Sequence, residues 1–217
     1  MSSFDACIAL GPIAVYLLLI GRVNLTPRPF VTTGLRDTLT LMFALAGLAI
    51  VGPLRLFMPT GFLEAFGGWT WLPMIGMYCT CGLLASLLMR PRIVIYNVTV
   101  DQLRPLLEQV ASQLDAERRW AGASLLMPNL GVQFAVEPNA AMRNVQLVAV
   151  GGANQDLQGW RRLDAGLRAA ARSLKVEPNP RGISFLVCGV ILAAVVLFSM
   201  VERPQEVAQG LHDFLSP

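Results

Sequence analysis

The chain has 217 residues, of which 54% are hydrophobic and 14% charged; a soluble globular protein carries roughly 25% charged residues, so much of this chain belongs in lipid. The net charge is only +3 and 16 of the 17 basic residues are arginine, a balance that gives no support to nucleic-acid binding. The sole histidine, His212, excludes a histidine metal cluster, and the four cysteines (Cys7, Cys79, Cys81 and Cys188) all lie in apolar runs, which excludes a disulfide framework in the polar part of the chain.

The N-terminal stretch MSSFDACIALGPIAVYLLLIG lacks the basic leader of a secretory signal, and Asp5 stands where Lys or Arg would be expected. No apolar run precedes Cys7, as lipidation there would require. The stretch reads as a retained span over about 6–21, short against the roughly 20 residues a bilayer core requires, with Pro12 as a candidate kink. A polar link, 22–38, carries Arg22, Arg28 and Arg36, two prolines and a chance-grade sequon at Asn24-Leu25-Thr26. A second span covers about 39–56, with Arg55 near its end, where a long side chain can snorkel. The next link is aromatic (Phe57, Phe62, Phe66, then Trp69 and Trp71) and suits the membrane–water boundary. Its only acid, Glu64, reads as a solvated carboxylate.

The third span covers about 69–89. Small residues recur at spacing four, Cys81 with Ala85 and Gly82 with Ser86, a pattern that lets helix backbones approach in lipid. Cys79 and Cys81 are two residues apart, about 200° around a helix axis, and form neither a redox pair nor a metal site. The span stops at Arg90-Pro91-Arg92, and a β-branched run begins at once.

Residues 92–178 read as one small α+β domain. Ile93 to Tyr96 is continuously apolar and suits a strand buried on both faces. Thr99 starts a helix with the stripe Val100, Leu103, Leu106, Leu107, Val110 and Leu114. Pro105 in that stripe pushes the expected helix start to Asp101 or Gln102, so that the proline falls in the first turn. Three strands follow, at 121–127, around Val132–Glu137, and at 144–150, joined by links short enough for an antiparallel meander. A final helix over about 154–174 carries Leu157, Trp160, Leu163, Leu167, Ala171 and Leu174. The expected order is β-α-β-β-β-α, two helices on one face of a four-stranded antiparallel or mixed sheet.

Gly151-Gly152-Ala153 stands where a phosphate could rest on a helix N-terminus. The full Gly-rich fingerprint and a Walker lysine are missing, so it reads as a turn. The paired basics Arg118-Arg119 and Arg161-Arg162 are the candidate contacts for lipid headgroups or an acidic partner. Asp101, Asp115, Glu117, Asp156 and Asp164 read as scattered helix-surface acids. No catalytic, cofactor or metal residues are expected.

Residues 183–201 form a fourth span without a charge, and 202–217 a short amphipathic tail. Lys and Arg number three in the first link and twelve over 90–181, against Arg203 alone in the tail. The positive-inside rule then places the domain in the cytoplasm of a plasma or inner membrane, with both termini outside. The whole is expected to be a four-span membrane protein with an inserted α+β module. It reads as a non-catalytic interaction or regulatory subunit that meets the bilayer and a protein partner or its own copy. The alternatives are an accessory subunit of a transport system, for which mid-span ionisable groups are lacking, and a membrane enzyme acting on a lipid headgroup, for which paired acids are lacking.

Overall fold

The computed structural model describes residues 2–54, 56, 67–139, 142–151 and 155–215. Arg55, Glu64 and the aromatic residues Phe57, Phe62 and Phe66 therefore lie outside the described residues, as do Gly152, Ala153 and Asn154. The chain divides into two compact units. One comprises Met1–Ile20, Thr38–Leu88 and Ser184–Pro217; the other comprises Gly21–Asp37 and Met89–Ile183.

The first unit is helical. Helix α1 (Ser3–Leu25), α2 (Gly34–Ala49, continued by a π turn Ile50–Leu54), α3 (Trp71–Leu88, entered through a 3-10 turn Gly67–Thr70) and α6 (Arg181–Glu202, below) are each long and apolar enough to cross a membrane. α1 has 23 residues, rather than the shorter run expected over 6–21, and at 1.5 Å per residue it spans a core of about 30 Å. The extra turn has a physical cause. Ser2 and Asp5 cap reciprocally, each backbone N–H donating to the other's side chain at 3.1 Å, which starts the helix at Ser3. Within this unit the helices meet at small residues. A Cβ on Gly47 would collide with the Ile8 carbonyl, one on Gly82 with the Met42 side chain, and one on Gly189 would lie 2.9 Å from Leu18. Of the two small-residue pairs on α3, Gly82 and Ser86 are buried, whereas Cys81 and Ala85 are exposed. The tail forms helix α7 (Pro204–Leu215), which follows α6 after Arg203.

The second unit is an antiparallel sheet covered by two helices. Its strands are β1 (Phe30–Thr33), β2 (Arg92–Tyr96), β3 (Arg119–Ala121), β4 (Ser124–Met127), β5 (Val132–Asn139) and β6 (Asn144–Ala149), in the order β1-β2-β6-β5-β4-β3. The helices are α4 (Val100–Leu114) and α5 (Leu157–Ala171). Their stripes, Leu103, Leu107 and Val110 from α4 and Trp160, Leu163 and Leu167 from α5, enter a single core with alternate strand residues such as Ile93, Ile95, Phe134 and Leu147. β2 is buried on both faces from Ile93 to Tyr96, as its unbroken apolar run implies.

The expected four-stranded β-α-β-β-β-α plan is thus corrected to six strands, all antiparallel. The polar link supplies one of the two extra strands. β1 pairs with β2, Val31 opposite Ile95. The preceding residues are tied to the same unit: Asn97 Nδ2 donates to the Thr26 carbonyl (2.8 Å), Val176 N to the Pro27 carbonyl (3.0 Å) and Asn179 N to the Asn24 carbonyl (2.9 Å). Asn24 is itself buried, its Oδ1 accepting from Asn179 Nδ2 at 3.0 Å, so the sequon is closed to modification in this fold. The other extra strand comes from 121–127. Gly122, at φ +64°, turns the chain in a left-handed conformation that suits glycine, and Ala121 pairs back with Ser124 to make a hairpin.

The helix boundaries also move. Thr99 caps α4 by accepting from Gln102 N, while the Gln102 side chain returns to Thr99 N. The helix therefore begins at Val100, and Pro105 lies in its interior rather than its first turn. Its missing N–H leaves the Asp101 carbonyl without the usual helical donor. α5 begins at Leu157 behind the cap Asp156, and Leu157 is 64% exposed rather than part of the stripe. Asp115 is the C-cap of α4 and is buried, not a surface acid.

Candidate functional site

The capping box at Thr99 fixes the start of α4, and packing of its apolar stripe into the core leaves Val100, Leu103, Arg104 and Leu107 lining a space beside the β3–β4 hairpin. Opposite them stand Trp120 and the hairpin loop Gly122-Ala123, with Val136 and Pro138 of β5 closing the floor. The space between is a cleft of about 330 Å³, mostly apolar in its lining. Such a recess with a few convergent polar groups is the usual form of a binding site.

Trp120 is clamped from two directions. Its Nε1–H donates to Glu108 Oε2 at 2.6 Å, and the Arg104 guanidinium carbon lies 5.4 Å from its ring centroid. Arg118 Nε donates to the other Glu108 oxygen at 2.7 Å. Arg104 and Glu108 are four residues apart on α4 and so share a face. A second, more open recess is lined by Asp101, Arg104, Pro105, Glu108 and Trp120. Trp120 therefore lines both spaces, half-buried and held by charges at its edge and its face.

The Glu108 carboxyl is held below the usual glutamate range, chiefly by the Trp120 N–H, then by the Arg118 hydrogen bond, with the charges of Arg118 and Arg104 adding to these against some desolvation. A depressed folded pKa means that the clamp is complete above the ordinary glutamate pKa of about 4.3. It is lost as pH falls through the lower folded value. Acid titration of the full chain, compared with its Trp120→Phe variant, is expected to show a Trp120 fluorescence transition centred below pH 4.3. A transition at or above that value would contradict the clamp.

Of the four arginines singled out in the sequence, only Arg118 joins this site, through its ion pair with Glu108. Arg119 lies on the edge strand β3 and is exposed; Arg161 and Arg162 are exposed on α5. Gly151 is left-handed at φ +96°, but the helix after it is capped by Asp156, whose side chain accepts from Gln158 N at 2.9 Å. That helix N-terminus already holds a carboxylate of its own. Trp120, Arg104 and Glu108 went unmarked in the sequence. The four-residue spacing of Arg104 and Glu108 is their local signal, and nothing in the sequence near Trp120 marks the hairpin that brings it to them. Among the described residues, no group of three or more His, Cys, Asp or Glu side chains is placed to hold a metal.

These features define a class: a chain with four helices long and apolar enough to span a membrane, carrying a six-stranded antiparallel sheet unit. No family model, curated protein or solved structure matches the chain.

Proposed function

We propose that this protein is a membrane-anchored, non-catalytic binding module, a subunit or scaffold of a membrane complex, whose sheet unit engages a protein partner through the Trp120 cleft. The observation that carries this reading is the cleft itself: an apolar space walled by an indole that Arg104 and Glu108 hold in place. Ordered aromatics and arginines are the side chains that dominate protein interfaces. The lining suits an apolar side chain of the partner. Arg104 is the charged residue among those that line it, which favours an acidic neighbour in the partner. Arg90, Arg92, Lys175 and Arg181 border the sheet unit in sequence and favour its placement on the cytoplasmic side of a plasma or inner membrane.

The test is site-specific photo-crosslinking in native membranes from Ala123 in the cleft. A discrete protein adduct is expected, reduced at least tenfold by Arg104→Glu and unchanged by Arg161→Glu. An adduct indifferent to Arg104, or none at all, would refute the cleft reading. A reporter fused after Leu174 that is active only outside the cell would reverse the orientation.

A further inference from the structure

A row of arginines on α5 faces the side of the sheet unit from which the chain enters its long apolar helices. Four segments of the unit lead to or from such a helix, and all four are held at the β1–β2 edge of the sheet. β1 runs straight into α2 at Gly34, and β2 begins just after α3 ends. The residues that follow α1 and precede α6 are tied to the same edge, Thr26 by the Asn97 side chain, and Asn179 through its N–H to the Asn24 carbonyl. Helix α5 packs beside β1, whereas α4 reaches Trp120 on β3, the opposite edge. The face of α5 turned to α4 is marked by Gly166, where a Cβ would lie 2.9 Å from Val110 and 3.5 Å from Leu114. At about 100° per residue, Arg161, Arg168 and Arg172 stand about 120–160° around the axis from Gly166. They are thus turned away from α4 and toward the β1 edge.

Arg161 and Arg172 are exposed, and Arg168 pairs with Asp164 at 3.0 Å. Arg172 is the C-cap of α5 and keeps helical angles, so it continues the row. Beyond it Lys175 and Arg28 are exposed, on chains joined by the Val176 N–H donating to the Pro27 carbonyl at 3.0 Å. Asp164 and Glu177 are the acids set among these cations. We infer that the arginine row of α5 rests on anionic lipid headgroups, so that the sheet unit stands on its β1 edge with β3 turned outward. The position of the row favours a bilayer. Lys175, at its end, is six residues before Arg181, where α6 starts, and at roughly 3.3–3.6 Å per residue the two are no more than about 20 Å apart. Each Lys or Arg held at an anionic surface strengthens the attraction about fivefold. An acidic protein offers the same charge, but it would have to enter on the side where the chain itself meets the membrane. The inference rests on membrane insertion of the long apolar helices, not on the Trp120 cleft.

The experiment places a photo-reactive side chain at Ala165, which is exposed between Arg161 and Arg168 on this face. The full chain is reconstituted in nanodiscs of phosphatidylcholine alone or mixed equally with phosphatidylglycerol, and adducts are identified by mass spectrometry. A lipid adduct is expected from Ala165, at least about fivefold more abundant in the anionic discs, falling about fivefold with Arg161→Gln and again with Arg172→Gln. Arg119→Gln at the far edge should leave it unchanged, and the same probe at Ala123 should take up no lipid. Circular dichroism of each variant separates lost contact from lost folding. Equal lipid adducts in both discs, adducts indifferent to the α5 arginines in a folded protein, or no lipid adduct from Ala165 would overturn the inference. In native membranes, a protein adduct from Ala165 in place of lipid would assign the face to an acidic partner and overturn the lipid reading. Failure of the chain to co-elute with the discs would overturn membrane anchoring itself, a result distinct from a failed lipid contact.

Discussion

Asp115→Ala is expected to destabilise the sheet unit by about 3 kcal/mol, as four hydrogen bonds to one buried carboxylate are lost together. Asp115 is 2% exposed. Its Oδ1 accepts from Glu117 N and Asn129 Nδ2, both at 2.9 Å, and its Oδ2 from Asn129 N at 2.8 Å and Leu130 N at 3.3 Å. The carboxylate thus ties the C-terminus of α4 to the turn between β4 and β5. Alanine leaves the buried Leu130 N–H without its acceptor and hands the part-buried Glu117 and Asn129 donors back to water, so the tie between helix and turn is lost. Asp115→Asn keeps one acceptor oxygen and turns an NH2 toward two donors, so about half the loss is expected. Burial is the largest single influence on the Asp115 pKa and raises it, but the hydrogen bonds from Glu117, Asn129 and Leu130 together outweigh it, and the carboxyl ends below the usual aspartate range. A folded pKa below the unfolded value of about 3.9 stabilises fully above that pH and is lost as pH falls through the folded value. Urea midpoints of the full chain in detergent, followed by near-ultraviolet circular dichroism, should therefore fall on acidification below about pH 4, and less steeply in Asp115→Asn. A midpoint for Asp115→Ala within error of wild type would show that the carboxylate does not organise the turn.

How much of this was legible in the sequence depended on whether the signal was local. The β2 strand was readable because burial on both faces leaves an unbroken β-branched run, and α4 because its stripe repeats every turn. β1 was not. Its four residues sit in an arginine- and proline-bearing link, with Phe30 48% exposed, and what makes them a strand is the edge of β2, some sixty positions later. The β3–β4 hairpin is hard to read because its two-residue loop is Gly122-Ala123, without the Asn-Gly or Asp-Gly that most strongly marks one. Pro105 argues for a later start of α4, but the capping box Thr99–Gln102 and the burial of Leu103, Leu106, Leu107 and Val110 in the core together hold the helix from Val100 through the proline. On α3 the small residues announced close packing, but spacing alone cannot say which face turns inward, and only Gly82 and Ser86 do. The candidate site was the least legible part. Charge pairs in sequence drew attention to Arg118 and Arg119, whereas the cleft is made by one tryptophan meeting a helix face across a loop.

The turn that Asp115 holds is also where α5 approaches most closely, which makes Gly159→Val the second severe substitution. A Cβ on Gly159 would collide with the Leu130 carbonyl and lie 2.7 Å from Val132 Cγ2. The obstacle is backbone, so no rotamer change can clear it. The turn cannot retreat either, because the neighbouring Asp156 N–H donates to the Gly131 carbonyl at 2.9 Å and Asp115 holds Asn129 and Leu130 from the other side. Alanine would gain about 1 kcal/mol of helix propensity against an overpacking cost of about 3 kcal/mol, a net loss near 2. Valine adds two methyls and β-branching, and the loss should reach about 4 kcal/mol. Gly166 on the same helix provides the comparison. A Cβ there would lie 2.9 Å from Val110 Cγ1, a side chain rather than backbone, so Gly166→Ala is expected to change stability by less than about 1 kcal/mol. Because Asp115 and Gly159 act on one turn, Gly159→Ala combined with Asp115→Asn should lose less than the sum of the single changes, by about 1 kcal/mol. Strict additivity, or equal effects at Gly159 and Gly166, would mean that the two helices are fastened to the sheet independently rather than through residues 129–131.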